Sequence, residues 1–341
     1  MKPQHFAILA VSAAALFFMA VVSYISSVPW SPGSNVRAEV LFPNLAQPGA
    51  ELAAIEVKRA GDTVRIETDG NLFRLASHDG YPADPEKILP LIRAASEARL
   101  VERKTALKDR HELLGLQDPD AAGSSARLLR LLGKSDALLG EIILGRTTVD
   151  AFEASKSGTY VRRPGENQTW LVDRQLSASL SLRDWVKTRL IDLSPSTIKS
   201  VRVEHEGGES YDIVRAQDGK EHQLATMPAG KKLKYVNAID DVVEAVSLIE
   251  FRSVRKAGHA DKFPVKGRVT METDKGYKPV VEFRSDGSQT WVRVTASGGP
   301  DAKAEVDDLL TRAKGWDFEV PMTELNASLI KLQDLLEDAP A

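Results

Sequence analysis

Apolar and polar residues follow three successive patterns along this chain. The first is an unbroken apolar run of twenty residues, Phe6 to Ile25, whose only polar side chains are Ser12, Ser23 and Tyr24. At about 1.5 Å of rise per residue, a helix of this length covers roughly 30 Å, the thickness of the hydrocarbon core of a membrane. The run therefore predicts a transmembrane helix, which we assign to residues 6–28 after a cytoplasmic tail at residues 1–5.

The charges that flank this run predict its orientation. Lys2 precedes it, and no further Lys or Arg follows until Arg37. Because basic residues close to a membrane segment tend to stay in the cytoplasm, we expect a single-pass protein of the inner membrane with its N-terminus inside and its body in the periplasm. A cleaved signal peptide is the alternative, although its apolar region usually has only about 7 to 15 residues. Both alternatives place the body across the membrane.

The second pattern is irregular and covers residues 29–50. Prolines and glycines interrupt any periodicity there: Pro29, Pro32, Gly33, Pro43, Pro48 and Gly49. Such residues are typical of turns and loops, so we predict a linker that acts as a stalk. Trp30 lies just past the apolar run and suits a membrane-interface anchor.

The third pattern begins at residue 51 and predicts a sheet with helices. Alternating apolar and polar residues predict strands at Ile55 to Lys58, Val64 to Glu67, Leu72 to Leu75, Arg127 to Leu132, Glu141 to Leu144, Tyr160 to Arg162 and Thr169 to Val172. Asp84 and Pro85 predict the start of a helix, since they offer an N-cap and a proline at the first helical position. A helix from Leu182 to Leu190, which contains Trp185, is expected to close this half.

The same order of elements recurs about 140 to 150 residues later. The predicted counterparts are strands at Ile198 to Val203, Tyr211 to Val214, Arg268 to Glu272 and Val280 to Phe283, a helix from Lys234 to Leu248, a segment Ile249 to Phe251 that matches Leu100 to Glu102, and a closing helix from Val306 to Ala313. Loose self-matches are easy to find, but here the order and the offset both persist. We therefore predict an α+β fold in which the transmembrane helix precedes two tandem repeats, residues 51–192 and 193–341, each a mostly antiparallel sheet with one or two packed helices.

The C-terminal segment from Met322 to Asp338 has an amphipathic pattern. Leu325, Leu329, Leu332 and Leu336 recur at helical spacing, so we predict a helix. It either docks on the second repeat or offers its apolar face to the groove of a partner.

Composition narrows the possible functions. The chain has no cysteine, which excludes disulfides, a lipoprotein anchor and thiolate-based metal or redox sites. It has 45 basic and 48 acidic residues and a net charge of −3. A nucleic-acid-binding protein usually carries a basic excess, so nucleic acid is not an expected partner.

Several short motifs resemble known sites, but each departs from the required pattern. Gly140 to Thr147 approaches a phosphate-binding loop, yet Ile142, Ile143 and Leu144 favour a buried strand, and Gly133-Lys134-Ser135 favours a hairpin turn. His111-Glu112 begins like a zinc-protease helix but has Gly115 where the second histidine belongs, and the remaining histidines are His5, His78, His205, His222 and His259, with no paired spacing.

Three further patterns suit structural roles better than catalytic or binding roles. Ser196 and Lys199 fit the S-x-x-K pattern of serine acyl-enzymes, but they begin a predicted strand. The acidic pairs Asp240-Asp241 and Asp307-Asp308 lie on predicted helices, where adjacent side chains diverge. Trp170, Trp185, Trp291 and Trp316 could form a sugar-stacking platform, although their apolar surroundings favour core packing. We therefore assign no catalytic, cofactor-binding or metal-binding residue and expect no cofactor.

The chain resembles a bacterial membrane-anchored family known only as domain of unknown function 4340. The matching pieces are Leu41-Phe42-Pro43-Asn44-Leu45, Tyr81-Pro82-Ala83-Asp84, Gly115-Leu116-Gln117-Asp118-Pro119, Leu144-Gly145-Arg146, Tyr160-Val161-Arg162, Leu182-Arg183-Asp184 and Gly315-Trp316. The resemblance runs from about residue 41 to residue 336. It implies an extracytoplasmic protein often found beside ABC-type transporter components of the gliding-motility auxiliary kind. The family offers no established catalytic residue to transfer.

These observations together predict a non-catalytic function. We expect a membrane-tethered accessory or scaffold protein of an ABC-type transporter assembly, with the inner membrane and the permease or auxiliary subunits as partners. The alternative is a module that binds an envelope glycan or lipid, which a cleft between the repeats lined by exposed Trp or Tyr would favour. A periplasmic hydrolase is the third possibility and requires convergent His, Asp, Glu or Ser groups in a pocket.

Overall fold

The computed structural model describes residues 39–47, 49–70, 72–152, 156–217, 219 and 221–339. The predicted tail at residues 1–5, the predicted transmembrane helix at residues 6–28 and Trp30 lie outside these ranges. Within the described ranges, no helix combines the length and apolarity needed to cross a membrane. The described residues form a sheet-rich α+β fold with few helices, which confirms the predicted fold class at this level.

The first half contains one large antiparallel sheet and one α-helix. The strands are β1 (Glu39–Val40), β2 (Ala54–Arg59), β3 (Asp62–Thr68), β4 (Phe73–Leu75), β5 (Tyr81–Pro82), β6 (Arg99–Arg103), β7 (Arg127–Leu132), β8 (Leu138–Phe152), β9 (Lys156–Arg162) and β10 (Thr169–Val172), and the helix is α1 (Pro85–Glu97). Their order in the sheet is β1-β6-β10-β9-β8-β7-β2-β3-β4-β5. Short 3-10 helices occur at Ala76–His78, Lys108–Leu114, Lys134–Asp136 and Leu182–Asp184.

The second half begins after β11 (Arg189–Asp192) and a 3-10 helix at Pro195–Thr197. Its elements are β12 (Ile198–His205), β13 (Ser210–Arg215), β14 (His222–Leu224), β15 (Lys231–Leu233), α2 (Ala238–Ser247), β16 (Leu248–Glu250), β17 (Ser253–Lys256), β18 (Val265–Thr273), β19 (Lys278–Ser285), β20 (Thr290–Ser297), α3 (Lys303–Ala313), β21 (Trp316–Val320), α4 (Met322–Ser328), α5 (Leu332–Leu335) and β22 (Leu336–Asp338). Two further 3-10 helices lie at His259–Lys262 and Pro300–Ala302. The large sheet has the order β14-β13-β12-β18-β19-β20-β21-β17, and the pairs β11–β16 and β15–β22 form two small sheets.

The two large sheets share one strand order. The central series β4-β3-β2-β7-β8-β9-β10-β6 of the first sheet corresponds, strand for strand, to the whole second sheet. The register agrees as well: Val57 pairs with Val64 and Leu129, and Val203 pairs with Tyr211 and Val269. Positions in the two halves can therefore be compared residue by residue.

Apolar alternation places one face of each sheet in the core. Every second side chain of a strand points to the same face. Alternate residues on β2 (Ile55 and Val57) and on β7 (Leu129 and Leu131) therefore share the core face, and all four are buried. The apolar stripe of α1 also joins this core. The Asp84 side chain caps that helix by accepting a hydrogen bond from the backbone N–H of Glu86 at 3.0 Å.

Two predicted correspondences between the halves are wrong. The segment predicted as a helix from Leu182 to Leu190 forms only the 3-10 helix Leu182–Asp184 and the beginning of β11. Helix α3 instead lies between β20 and β21, so it is not the counterpart of that segment. Ile249 belongs to β16, which pairs with β11, and β17 occupies the place equivalent to β6. Pairing between the halves draws both segments into strands, which a local pattern does not reveal.

Part of the predicted linker at residues 29–50 is built into the first sheet. Strand β1 pairs with β6, with Glu39 opposite Leu100, and Leu41 and Phe42 are 4% and 2% exposed. The ring of Phe42 lies against Gly140, where an added Cβ would stand 2.3 Å from the ring atom Cδ1. The stalk interpretation is therefore wrong for residues 39–42, because burial of two adjacent apolar side chains outweighs the local preference of the prolines for loops.

The C-terminal segment is not the continuous helix that was predicted for Met322 to Asp338. It forms α4, α5 and β22, and β22 pairs with β15 through Lys231 opposite Asp338. Leu335 and Leu336 are buried, so the segment docks on the second half. The backbone N–H of Lys234 donates to the carbonyl of Leu335, which explains why α2 begins at Ala238 rather than at Lys234.

Replacing Phe42 tests whether this part of the chain stabilises the fold. We expect Phe42→Ala to lower the free energy of unfolding by about 3–5 kcal/mol, because the lost ring leaves a cavity over Gly140. Urea unfolding of the full chain measures the change. As a control, Leu72→Ala, at a side chain that is 55% exposed, should shift the free energy by no more than about 0.5 kcal/mol. Equal effects of the two substitutions would contradict the structural role of Phe42.

Candidate functional site

The two halves meet at an aromatic cluster, here called the joint cluster, formed by Tyr81, Phe251, Trp316 and Phe318. Tyr81 on β5 is 2% exposed, and its ring centroid lies 5.8 Å from that of Phe251, 5.0 Å from that of Trp316 and 5.9 Å from that of Phe318. All three contacts are edge-on, an arrangement that aromatic rings favour. Burial raises the pKa of the Tyr81 hydroxyl to about 12, so it stays protonated at neutral pH. One first-half side chain thus completes a core of the second half.

A strand pair forms the second connection between the halves. Strand β11 runs antiparallel to β16, with Ile191 opposite Ile249. The carboxylate of Glu250 accepts hydrogen bonds from Thr188 Oγ1 at 2.5 Å and from Arg183 Nη2 at 2.8 Å. These hydrogen bonds, that of Thr188 first, lower the pKa of Glu250. The pair is thereby held by backbone and side-chain bonds together.

A cleft of about 470 Å³ lies beside β11 and is lined by both halves. Lys87 Nζ donates to the carbonyl oxygens of Arg183 at 2.5 Å and Val186 at 2.8 Å. From the second half, Arg312 binds Asp308 at 2.8 Å and donates to the carbonyl of Arg189 at 2.8 Å. Arg312 therefore connects the two halves beside the cleft, whereas Lys87 connects α1 to residues 183–186 within the first half.

The remaining polar groups of this cleft are suited to binding. The Tyr277 side chain is 6% exposed, and burial raises the pKa of its hydroxyl to about 12. That hydroxyl is a hydrogen-bond donor at neutral pH rather than a base. Lys187 also lines the cleft, is exposed and makes no ion pair to the part of the chain that the structure describes. The cleft can donate hydrogen bonds to a ligand or a partner.

A second cleft, of about 540 Å³, lies on the Glu250 side of the same strand pair. Glu324 on α4 lines it without an ion-pair partner among the described residues, and burial raises the pKa of its carboxyl to about 7. Arg183, Glu250 and Arg252 also face this cleft. Glu324 is thus a carboxyl group that changes charge near neutral pH.

The histidines are not brought together. His111 is buried, and its Nε2 lies 2.9 Å from the carbonyl oxygen of Asn167. His222 is also buried, with Nε2 3.0 Å from the carbonyl oxygen of Ile198. In the ranges that the structure covers, no cluster of three or more His, Asp or Glu is placed to hold a metal ion. His5 lies outside those ranges.

The motifs that resemble catalytic sites have structural surroundings. Ile142, Ile143 and Leu144 are buried on β8, as the strand interpretation predicted. Ser196 Oγ lies 2.8 Å from Ser194 Oγ, whereas Lys199 on β12 points its Nζ to Glu272, 3.7 Å away. The S-x-x-K pattern therefore does not form a serine–lysine pair.

The paired carboxylates and the tryptophans also take structural roles. Asp307 pairs with Lys303 and Asp308 with Arg312 on the surface of α3. The backbone N–H of His222 donates to Asp240 at 3.1 Å. Three of the four candidate tryptophans are buried: Trp170, Trp185 and Trp291. The fourth, Trp316, contacts Tyr81 in the joint cluster.

The most buried carboxylate among the described residues was not one of the candidates predicted from the sequence. Asp317 on β21 is fully buried and accepts hydrogen bonds from the backbone N–H groups of Gly258 and Ala260, at 3.0 and 2.8 Å. Arg293 Nε donates to the same carboxylate at 2.8 Å. The available signal was an acidic residue between two aromatic residues, Trp316 and Phe318. Its role is to hold the loop before β18.

Comparison with known proteins places the chain in a family. The family model described as Domain of unknown function (DUF4340) matches residues 74–266, more than half of the 341 residues. The chain belongs to the DUF4340 family. This confirms the resemblance noted in the sequence. No curated protein and no solved structure matches the chain.

The Glu324 carboxyl of this DUF4340 protein predicts a pH dependence of stability. Between the unperturbed pKa of 4.5 and the folded-state value of about 7, the folded protein retains a proton that the unfolded chain releases. This contribution to stability is present below pH 4.5 and is lost as the pH rises to about 7. We expect Glu324→Gln to remove this component of the pH dependence, measured by urea unfolding across that range.

A surface glutamate provides the control for this prediction. Glu112 is exposed and makes no ion pair to the described residues, so Glu112→Gln should leave the pH profile unchanged. A Glu324→Gln profile that overlays the wild-type profile would contradict the raised pKa.

Proposed function

We propose that this DUF4340 protein is a membrane-tethered, extracytoplasmic accessory or scaffold subunit of an ABC-type transporter assembly. The joint cluster is the observation that carries the proposal. A scaffold must hold its docking surfaces in a defined relation, and Tyr81 packs into the second half and joins the two sheets through one continuous core. The membrane tether is the predicted helix at residues 6–28, and the transporter context follows from the family resemblance.

The outer faces of the two large sheets carry ion-pair networks, which suit docking against a polar surface of a partner. On the first sheet, Glu56 lies 2.9 Å from Lys58, 3.0 Å from Arg130 and 3.6 Å from Arg65. On the second sheet, Glu282 pairs with Arg268 at 2.5 Å and with Arg284 at 2.8 Å. Such networks hold long side chains in fixed positions, and charge complementarity at an interface determines specificity.

The alternative of a glycan-binding module requires exposed flat rings. Trp170, Trp185 and Trp291 are between 2% and 8% exposed, and Trp316 is occupied by its contact with Tyr81. The rings that a stacking platform would use are therefore committed to packing. This favours the scaffold over the glycan-binding module.

Affinity purification tests the proposed function. We expect the full chain, purified from membranes of its native cells in mild detergent, to recover a transporter permease, its ATPase or an auxiliary subunit, identified by mass spectrometry. Tyr81→Ala should lower that recovery several-fold, because it loosens the joint cluster. Tyr235→Ala is the matched control, since Tyr235 is 50% exposed and outside the cluster, and it should recover the partner normally.

Arg183→Gln is a milder variant. It removes one hydrogen bond to Glu250 and keeps the aromatic packing of the joint cluster, so it weakens the connection between the halves. It serves as the test if Tyr81→Ala does not fold. Purification that recovers no transporter component with the wild-type chain would overturn the proposal.

A further inference from the structure

A cavity in the first half is lined by Arg127, which makes no ion pair with the described residues. The cavity has a volume of about 520 Å³ and lies between the first turn of α1, the end of the core face of the sheet and residues 176–185. We call it the Arg127 pocket and define it by Glu86, Lys87, Arg127, Thr147, Asp184 and Trp185. These residues come from four separate parts of the first half, so the pocket is a product of the fold.

Arg127 is held in the pocket with its hydrogen-bonding capacity mostly unused. It lies opposite Leu144 on β8 and two residues before the buried Leu129, so it belongs to the core face. Nη1 donates to the carbonyl of Ala178 at 2.6 Å. Nε is buried and has no hydrogen-bond partner, and no carboxylate of the described residues lies within ion-pair distance of the guanidinium. A buried donor without a partner is costly, so the arrangement favours a bound acceptor.

A second arginine adds positive charge near Arg127. Arg59, at the end of the neighbouring strand β2, also makes no ion pair to the described residues. Burial first, and then the positive charge of Arg59, lower the pKa of the Arg127 guanidinium, whereas Asp184 raises it. Folding therefore half-buries this cation without bringing a described carboxylate into contact with it. An anion in the pocket would supply a hydrogen-bond acceptor and a counter-charge in direct contact with the guanidinium.

The second half shows that the fold itself does not require an arginine here. The equivalent position is Gly267, which lies two residues before Val269 and opposite Phe283. An added Cβ at Gly267 would lie 2.8 Å from Leu329 Cδ1, so the C-terminal segment packs directly over the glycine. One half thus closes this end of its sheet with an apolar contact. The other half places at the same point an arginine that makes no ion pair with the described residues, and leaves a cavity.

We propose that the Arg127 pocket binds a small molecule that carries a carboxylate, with the carboxylate on the Arg127 guanidinium. The planar guanidinium matches a carboxylate in two parallel hydrogen bonds. Glu86 and Asp184 also line the pocket, and both are exposed. Their negative charges disfavour a doubly charged phosphate more than a singly charged carboxylate, and they would accept hydrogen bonds from an ammonium or hydroxyl group of the ligand. This site is independent of the scaffold function proposed above.

Trp185 provides a direct reporter of binding. It lines the pocket, and its indole Nε1 donates to the carbonyl of Ser179 at 2.9 Å. We would label the full chain with ¹⁵N-tryptophan, assign the five indole signals by substitution, and titrate it with dialanine, N-acetylalanine and inorganic phosphate. We expect a saturable shift at Trp185, strongest with dialanine because it adds an ammonium group, and weakest with phosphate. Trp291, in the second half, should not shift.

Matched variants connect this signal to the guanidinium. Arg127→Gln should weaken dialanine binding at least about tenfold, the effect of losing a charge-assisted pair worth about 1.4 kcal/mol or more. Arg93→Gln removes a cation from the exposed side of α1, outside the pocket, and should bind as wild type does. If Arg127→Gln disturbs all five indole signals, Arg127→Lys replaces it as the test, because it keeps the charge and loses the paired hydrogen bonds.

The outcomes that overturn the proposal are specific. The site does not exist if Trp185 shows no saturable shift up to about 50 mM of the carboxylate probes, the weak end of measurable affinity. Unchanged binding by Arg127→Gln or by Arg127→Lys would show that the guanidinium is not the ligand-binding group. Tighter binding of phosphate than of dialanine would overturn the carboxylate assignment.

Discussion

Burial of Tyr81 among Phe251, Trp316 and Phe318 is the contact on which the arrangement of the two halves depends. Tyr81 comes from β5, at the edge of the first sheet, and the other rings come from the second half. Aromatic rings bury a large apolar area and fix orientation through their edges, so this cluster resists both separation and rotation. Both clefts beside β11 exist because the halves are held at this distance. The two clefts therefore depend on the joint cluster.

The two large sheets have the same strand order, but different chain segments cover the ends of their core faces. In the second half, α4 and Leu329 cover Gly267 at the end of the core face. In the first half, the chain after β10 continues into β11 and crosses to the other half, so residues 176–185 cover Arg127 only in part. The covering of Gly267 and Arg127 differs because the chain segments that lie over them lead to different parts of the molecule. A shared topology therefore leaves room for a cavity in one copy and apolar closure in the other.

Buried and half-buried charged groups of this protein differ in how completely they are paired. Asp317 is fully paired with Arg293 and two backbone N–H groups, and Arg162 donates to the carbonyls of Leu116 and Glu166 as well as to Asp118. These networks satisfy their members and stabilise loops. Arg127 and Glu324 are different, because neither has an ionic partner among the described residues and each lines a cavity. The carboxylate site proposed at Arg127 and the pH dependence predicted for Glu324 both depend on this incomplete pairing beside a cavity.

Elements whose signals are local could be predicted from the sequence alone. The alternation of β2, β3, β7 and β8, the capped start of α1 and the family were all predictable, because each depends on periodicity or on short motifs. Only the tertiary structure decided the remainder: Phe42 joined the core, residues 182–190 formed a 3-10 helix and β11, and the C-terminal segment split around Leu329. Arg127 also looked like an ordinary strand residue. The physical reason is that pairing partners and neighbouring charges come from distant parts of the chain, so burial and the lack of a counter-ion exist only after folding.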